Sequence, residues 1–184
     1  LQSLEDLKGS TLVVGGDGRY GNIEAIEKIV QICIAHKVQK VIVPKYGLLS
    51  TPATSHLIRK ENAIGGIILS ASHNPGGIDG DFGVKLNISN GGPAPEIITN
   101  KIFKASQLLT SYKICKIQLP DFSEYGTYSY DETTLEIIDG LTDYSNLMEK
   151  IFDFDQISDF LKKDFSLIFD AMNAVTGPYA KNIF

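Results

Sequence analysis

The sequence lacks several features that define large classes of proteins. It has only two cysteines, Cys33 and Cys115, which are too few for a disulfide framework and do not form a C-x-x-C pair. No apolar run approaches the roughly 18 residues that span a bilayer, so we expect no membrane partner. Lys and Arg total 17 against 22 Asp and Glu, and no basic cluster offsets the net charge of −5. We therefore expect no nucleic-acid partner.

What remains is typical of a globular protein, and 184 residues are enough for one domain plus part of another. The sequence shows no secretory signal pattern, so we expect a cytoplasmic location. Nothing in it predicts an oligomeric state. It begins at Leu1 and stops at Phe184, inside a helical pattern that has barely begun. We therefore expect a fragment of a longer protein.

Apolar runs that alternate with amphipathic patterns predict an α/β fold with a mixed β-sheet between helices. Strands are expected near residues 11–14, 41–43, 64–70, 82–88 and 135–138. Helices are expected near residues 23–36, 51–60, 96–111 and 143–152. The turn-rich residues 71–81 join the third strand to the fourth, which predicts that these two strands are antiparallel neighbours.

Further expectations concern packing and domain organisation. The helix after Pro95 is expected to bury Ile97, Ile98, Phe103, Ala105 and Leu108. Residues 119–130 are expected to be an irregular surface excursion, and residues 165–170 to be the first strand of a new unit. We therefore divide the chain into a first domain, residues 1–143, and the truncated start of a second, similar α/β domain, residues 144–184.

One stretch combines a strand with a cluster of small and polar residues. The apolar run Ile67-Ile68-Leu69 leads into Ser70-Ala71-Ser72-His73, and Asn74-Pro75-Gly76-Gly77 then predicts an abrupt turn. Open α/β sheets bind their ligands beyond the carboxyl ends of the strands. This stretch is therefore the main candidate for a functional site.

Within that stretch, Ser72 is the candidate reacting group. His73 and Asn74 follow it directly, and Lys85 lies on the next predicted strand. A phosphorylated serine needs a cation and hydrogen-bond donors, and Lys85 and His73 can supply charge and proton transfer. The alternative is a turn in which Ser72 and Asn74 only satisfy their own backbone.

Two other patterns indicate different chemistry. Gly16-Asp17-Gly18-Arg19-Tyr20-Gly21 matches the dinucleotide motif G-x-G-x-x-G between a strand and a helix, but Asp17 and Arg19 are charged and bulky. A tight turn that directs Arg19 toward an anion is the alternative. Asp79-Gly80-Asp81 offers two carboxylates to a Mg²⁺ ion, or forms a solvated turn.

The sequence contains three longer runs in a fixed order: Ser70 to Gly77, Gly80 to Lys85, and Asn87 to Glu96. Together with residues 15–19, 49–53 and 151–154, they resemble the phosphoglucomutases of the α-D-phosphohexomutase superfamily. The serine loop is typical of the superfamily. The Asn87 to Glu96 run favours the phosphoglucomutase branch over phosphomannomutases and phosphoacetylglucosamine mutases. The resemblance covers essentially the whole chain.

The resemblance implies an enzyme of glucose metabolism that interconverts glucose 1-phosphate and glucose 6-phosphate, with glucose 1,6-bisphosphate as activator. It implies that Ser72 carries the transferable phosphate and that His73 and Lys85 are catalytic residues that handle phosphate and protons. Ser72, His73, Asn74 and Arg19 are the implied contacts to substrate or phosphate.

The resemblance also implies a Mg²⁺ ion bound through the phosphate on Ser72. The family's carboxylate ligands lie in a loop beyond Phe184, and its loops for the sugar and the second phosphate also lie outside this sequence. The family does not use Asp79 and Asp81 as metal ligands. We therefore expect the chain alone to be inactive.

Three alternatives to a phosphoglucomutase stay open at this point. One is a sister phosphohexomutase, which acts on mannose phosphate or makes the bisphosphate. Another is a non-enzymatic relative that is kept for protein–protein contact. The third is a nucleotide-binding module built on Gly16 to Gly21.

Overall fold

The computed structural model describes residues 9–184, and the first eight residues of the predicted first domain lie outside this range. The strands are β1 (Thr11–Gly16), β2 (Lys40–Pro44), β3 (Gly65–Leu69), β4 (Val84–Ile88), β5 (Gly126–Tyr130) and β6 (Thr133–Ile138). The helices are α1 (Asn22–Ala35), α2 (Thr51–Lys60), α3 (Glu96–Gln107), α4 (Gly140–Ile151), α5 (Phe154–Leu161) and α6 (Thr176–Ile183).

The strands form one mixed sheet in the order β4-β3-β1-β2-β6-β5. Strand β1 pairs in parallel with β2 and β3, and β2 pairs in parallel with β6. Strands β4 and β5 run antiparallel to their neighbours at the two edges. The predicted mixed α/β sheet is therefore confirmed, as is the antiparallel pairing of β3 with β4.

Helices cover both faces of this sheet because successive residues of a strand point to opposite sides. Val13 and Val14 of β1 are both fully buried. Val14 belongs to the apolar cluster that includes Ile26 of α1, and Val13 belongs to the cluster that includes Ile58 of α2. The central strands are thus apolar on both faces, as expected of parallel strands between helices.

The carboxyl ends of the parallel strands lie together at one end of the sheet, where the strands stop. Strands β1 and β3 are neighbours, and the N–H of Asp17, just after β1, donates to the carbonyl of Leu69 at 3.0 Å. The loops that follow β1 and β3 therefore lie side by side, and they contain Arg19 and Ser72.

The prediction for residues 119–130 was wrong in part. Phe122 is buried, and residues Gly126–Tyr130 form the edge strand β5. Tyr128 and Tyr130 pack against the same apolar cluster as α1, while the alternate residues Thr127 and Ser129 are exposed. The segment is a strand because alternate side chains add to the core.

Two other predictions, the buried face of α3 and a strand at residues 165–170, were also wrong. No residue of α3 is buried, and Ile97, Phe103 and Leu108 are 69%, 63% and 81% exposed. Residues 165–170 form no strand, because no strand of the described part of the chain pairs with them.

None of the helices in residues 9–184 is long and apolar enough to cross a membrane.

Candidate functional site

The loop that contains Ser72 leaves the sheet at the end of β3 and returns at the start of β4. Its two ends are joined, since the N–H of Ser70 donates to the carbonyl of Gly83 at 2.9 Å. A Cβ atom at position 83 would lie 2.3 Å from the carbonyl oxygen of Ser70. Glycine at this position therefore permits the close approach that makes residues 70–83 a closed loop.

The closed loop brings Lys85 to Ser72. The β3–β4 register pairs Ile68 with Lys85, so the lysine projects from the strand that lies beside the loop. Its Nζ atom donates a hydrogen bond of 2.9 Å to the Oγ atom of Ser72, and both side chains are exposed. An ammonium group in this position can stabilise negative charge on Oγ or on a phosphate attached to it.

Ser72 is held in an uncommon backbone conformation. Its φ angle is 55°, a left-handed value that costs non-glycine residues on the order of 1 kcal/mol. Its N–H donates to the Oγ of Ser70 at 3.0 Å, and its carbonyl accepts from the Nη2 of Arg19 at 3.2 Å. Contacts on both sides of the residue therefore maintain the conformation that presents its hydroxyl.

Arg19 connects the loop after β1 to the serine loop. Its Nε donates to both carboxylate oxygens of Asp17 at 3.0 and 3.1 Å, and its Nη2 also donates to Oδ2 at 2.8 Å. Its Nη1 donates to the carbonyl of Asp81. The side chain is only 8% exposed. The structure thus gives Arg19 a positioning role, and its predicted contact with a phosphate stays a prediction.

The Asp17–Arg19 pair remains charged around neutral pH. Burial raises the pKa of Asp17, but hydrogen bonds from Arg19 and Ser70 outweigh this effect, so the pKa lies below its ordinary value. The hydrogen bond to Asp17 in turn raises the pKa of Arg19. The anchor of the serine loop should therefore not depend on pH in the range where most enzymes work.

The two residues after Ser72 differ in their contacts. Asn74 donates from Nδ2 to the Oδ2 of Asp81 at 2.8 Å, and its N–H donates to the carbonyl of Ala71 at 3.1 Å. His73 is exposed, and across residues 9–184 its imidazole has no hydrogen-bond partner. Asn74 therefore stabilises the loop, whereas His73 is available to a ligand. Their predicted contacts with substrate stay predictions.

A comparison with protein families identifies this architecture. The family model described as phosphoglucomutase/phosphomannomutase, alpha/beta/alpha domain I, matches residues 2–113. The chain belongs to the phosphoglucomutase/phosphomannomutase family. The match includes β1 to β4 and the whole serine loop.

Individual members of the family are closely similar to the chain. A phosphoglucomutase of Aspergillus oryzae is 52% identical over 182 residues, which are 98% of this chain and 33% of that protein. A phosphoglucomutase of Schizosaccharomyces pombe is 51% identical over 179 residues, which are 96% of this chain and 32% of that protein. The chain thus spans about a third of the length of these relatives.

A solved member of the family shares the fold. The open form of the exocytosis-sensitive phosphoprotein pp63/parafusin, a phosphoglucomutase from Paramecium, matches with a TM-score of 0.93 and 42% identity. The match covers 99% of this chain and 35% of that protein. The sheet order and the serine loop described above therefore belong to an architecture known in the family.

The residues described here do not by themselves fit the Mg²⁺ ion that resemblance to the family implies. Between residues 9 and 184, no three His, Cys, Asp or Glu side chains come together in a group that can hold a metal. Ser72 offers one oxygen, which already accepts from Lys85, and the Oδ2 of Asp81 accepts from Asn74. A Mg²⁺ site in this protein would need ligands from residues other than these.

The contacts of Asp17 and Asp81 that hold the candidate site together were missed by sequence reasoning. Asp17 holds the guanidinium of Arg19, and Asp81 accepts from both Arg19 and Asn74. The i,i+2 spacing of Asp17 and Arg19 in a tight turn was an available signal for an ion pair. The bond between Arg19 and Asp81 joins residues 62 apart, so no local pattern predicts it.

Proposed function

We propose that the protein that contains this chain is a phosphoglucomutase, an intramolecular phosphotransferase that interconverts glucose 1-phosphate and glucose 6-phosphate. Ser72 is the phosphate carrier in this proposal. The observation that carries it is the 2.9 Å hydrogen bond from the Nζ of Lys85 to the Oγ of Ser72, at the strand end where open sheets bind ligands.

The proposed reaction has two phosphoryl transfers. In the first, the bond between phosphorus and the Oγ of Ser72 breaks, and phosphorus bonds to the free hydroxyl of the sugar phosphate. The hydroxyl proton leaves to a base, and glucose 1,6-bisphosphate results. In the second, the other phosphate of this intermediate returns to Oγ, and the sugar oxygen regains a proton. Phosphoryl transfer depends mainly on positioning and charge stabilisation.

The residues around Ser72 suit these steps. Lys85 offsets the negative charge that develops on Oγ when the phosphate departs. His73 has an unbonded imidazole next to the serine, and we assign it to proton transfer. Asn74 stabilises the loop through its bond to Asp81.

The names of the relatives support this assignment. The matched proteins of Aspergillus oryzae and Schizosaccharomyces pombe are called phosphoglucomutases, and the Paramecium relative is called a phosphoprotein. Because the chain spans about a third of such proteins, we propose that the 184-residue chain alone has no mutase activity.

The proposal includes Mg²⁺ as cofactor and glucose 1,6-bisphosphate as activator. The phosphate on Ser72 would supply one oxygen ligand to the metal, and the other ligands would come from outside this chain. We also propose a cytoplasmic location, although an Arabidopsis thaliana relative is named as chloroplastic, and cell fractionation tests this point.

The proposed function is tested on the full-length protein. After incubation with glucose 1,6-bisphosphate and proteolysis, mass spectrometry should find phosphate on the peptide that contains Ser72. Ser72→Ala should lower kcat by a factor of roughly 10⁴ or more, because the covalent carrier is lost. Ser89→Ala, at an exposed serine after β4, is the matched control and should keep wild-type activity.

The same assay distinguishes the neighbouring functions. A phosphoglucomutase should prefer glucose 1-phosphate to mannose 1-phosphate in kcat/KM, and the opposite preference would indicate a phosphomannomutase. Full activity of Ser72→Ala, or an unphosphorylated Ser72 in active protein, would overturn the proposed mechanism.

A further inference from the structure

A second feature of the fold lies beside the serine loop. A cleft of about 780 Å³ is lined by helix α2, strand β4 and the turn that follows this strand. Two cationic side chains, Arg59 and Lys85, line it, and none of the described residues that line it is acidic. The charge distribution therefore favours an anionic ligand in the cleft.

One wall of the cleft is a polar stripe of α2. Thr51, Ser55 and Arg59 are spaced four residues apart, so they share one face of the helix. The Oγ of Ser55 accepts from the Nδ2 of Asn87 at 3.2 Å, which fixes this face against β4. With a rise of 1.5 Å per residue, the stripe from Thr51 to Arg59 is about 12 Å long.

The guanidinium of Arg59 is fixed at one end of the stripe. Its Nη1 donates to the carbonyl of Asn90 at 3.4 Å. Gly91 is buried with a φ of 83°, and a Cβ there would lie 2.4 Å from Nη1, so the guanidinium rests directly against this turn. In the described part of the chain, Nε and Nη2 of Arg59 donate no hydrogen bond. They form the planar pair of donors that suits a phosphate.

The other end of the cleft reaches the serine loop. Lys85 lines the cleft, and its Nζ contacts the Oγ of Ser72. Lys85 and Asn87 are two residues apart on β4, so they lie on the same face of the strand. Of the apolar residues that line the cleft, Pro93 and Ala94 follow β4 and can contact a carbon skeleton. Its volume is in the range of small-molecule sites.

We propose that this α2–β4 cleft is a binding site for a sugar phosphate, with the phosphate dianion on Arg59 and the sugar directed toward Lys85. The site is separate from the phosphate carried on Ser72 but opens next to it, so it can hold a ligand close to the reacting serine. The identity of the ligand as a hexose phosphate rests on the proposed function. The binding of a phosphate monoester by Arg59 does not.

The test uses crystals of the full-length Ser72→Ala protein, in which the proposed phosphate carrier is absent. Crystals are soaked separately with tungstate, which is located by its anomalous signal, and with glucose 6-phosphate. We expect tungstate and the sugar phosphate in the cleft within hydrogen-bond distance of Arg59. Both should be lost when Arg59→Gln is added. Lys104→Gln, which removes an exposed cation of α3 outside the cleft, should leave both in place.

Calorimetric titration with glucose 6-phosphate extends the test to solution. Arg59→Gln should weaken one binding event about tenfold, because a charge-assisted, bidentate contact is lost. Arg59→Lys should weaken it less, since a point charge remains. A cleft that stays empty in both soaks, or sugar-phosphate binding that Arg59→Gln leaves unchanged, would overturn the proposal. Binding of tungstate without glucose 6-phosphate would overturn the sugar-phosphate ligand.

These outcomes are distinguishable from failure of the proposed function. The cleft is tested in Ser72→Ala protein, so its occupancy does not depend on phosphoryl transfer. The role of Ser72 is tested by phosphopeptide mapping and activity in protein with an unchanged Arg59. Either result can be negative while the other is positive.

Discussion

The Nζ of Lys85 lies 2.9 Å from the Oγ of Ser72, across 13 positions of the sequence. The antiparallel pairing of β3 with β4 and the closed loop between them produce this contact. It places a cation at the oxygen that is proposed to carry the phosphate, in an exposed position that a substrate can reach.

The first prediction concerns this cation. Lys85→Met in the full-length protein should lower kcat by about 10²–10³-fold, because charge on the departing Oγ is no longer offset. The thermal midpoint should change little, since the side chain is exposed and surface substitutions usually shift stability by less than about 0.5 kcal/mol. A coupled assay of glucose 6-phosphate formation and a thermal melt measure the two effects.

The control for this prediction is Lys101→Met, which removes an exposed cation of α3 by the same substitution. It should keep wild-type kcat. Lys85→Arg should keep part of the activity because the charge remains while its position changes. Wild-type kcat in Lys85→Met would show that the contact seen here has no part in the reaction.

The second prediction separates positioning by Arg19 from direct binding of substrate. Arg19→Lys removes the fork of donors that joins Asp17 to the carbonyls of Ser72 and Asp81. If Arg19 positions the loop, kcat should fall by about 10²-fold with little change in KM, because the serine is misplaced. Asp17→Asn should have the same kind of effect, since it weakens the same anchor.

Steady-state kinetics of the full-length protein distinguish positioning of the loop from binding of substrate. Phosphate on Ser72 is quantified in parallel. A large rise in KM with unchanged kcat in Arg19→Lys would instead indicate that the guanidinium binds substrate. In that case Asp17→Asn and Arg19→Lys should also differ from each other in their effects on kcat and KM.

Whether a strand could be predicted from the sequence depended on how many of its residues are apolar and buried. The central strands were predicted because β-branched, apolar residues such as Val13 and Val14 are buried on both sides and read as continuous runs. The strand Gly126–Tyr130 was missed because only Tyr128 and Tyr130 contribute apolar surface at the sheet edge. Its period-2 alternation was an available signal.

Predictions that depended on a distant partner failed for a physical reason. The apolar residues 165–169 have strand character, but a strand forms only when another strand supplies hydrogen bonds, and the described residues supply none there. Similarly, the periodicity of α3 predicts a face that can be buried but not the surface that covers it. Within the site, Lys85 was placed near Ser72 because a single loop joins their two antiparallel strands. The contact of Arg19 with Ser72, in contrast, joins residues 53 apart.

The third prediction concerns the packing of α6 against the start of α2. The N–H of Ser50 donates to the Oη of Tyr179 at 3.1 Å, and Tyr179 is only 6% exposed. Tyr179→Phe removes the acceptor and leaves this N–H without it, which should lower the free energy of unfolding by about 1 kcal/mol. Urea denaturation of the 184-residue chain, followed by circular dichroism, measures the change.

Tyr112→Phe is the matched control for Tyr179→Phe. Tyr112 is 72% exposed, so loss of its hydroxyl should leave the denaturation midpoint unchanged. Equal midpoints for the wild type and Tyr179→Phe would mean that the hydrogen bond to Ser50 adds nothing to the packing of α6.

The fourth prediction concerns pH and the contact between α2 and α4. The Nε2 of His56 lies 3.4 Å from the Oδ2 of Asp143. Burial lowers the pKa of His56 below its ordinary value of 6.5, Asp143 opposes this, and three nearby cations add to the lowering. These cations are Lys60, Arg59 and Lys150.

The sign of the pH effect follows from this lowered pKa. Below pH 6.5 the unfolded chain binds a proton at His56 more readily than the folded chain does. The free energy of unfolding therefore includes the full contribution of the neutral His56 above pH 6.5. This contribution is lost as the pH falls from 6.5 through the folded-state pKa. His56→Gln should reduce the slope of unfolding free energy against pH in this window, as measured by urea denaturation at a series of pH values. His36→Gln, at the end of α1, is the control for loss of a histidine, and an unchanged slope in His56→Gln would contradict the prediction.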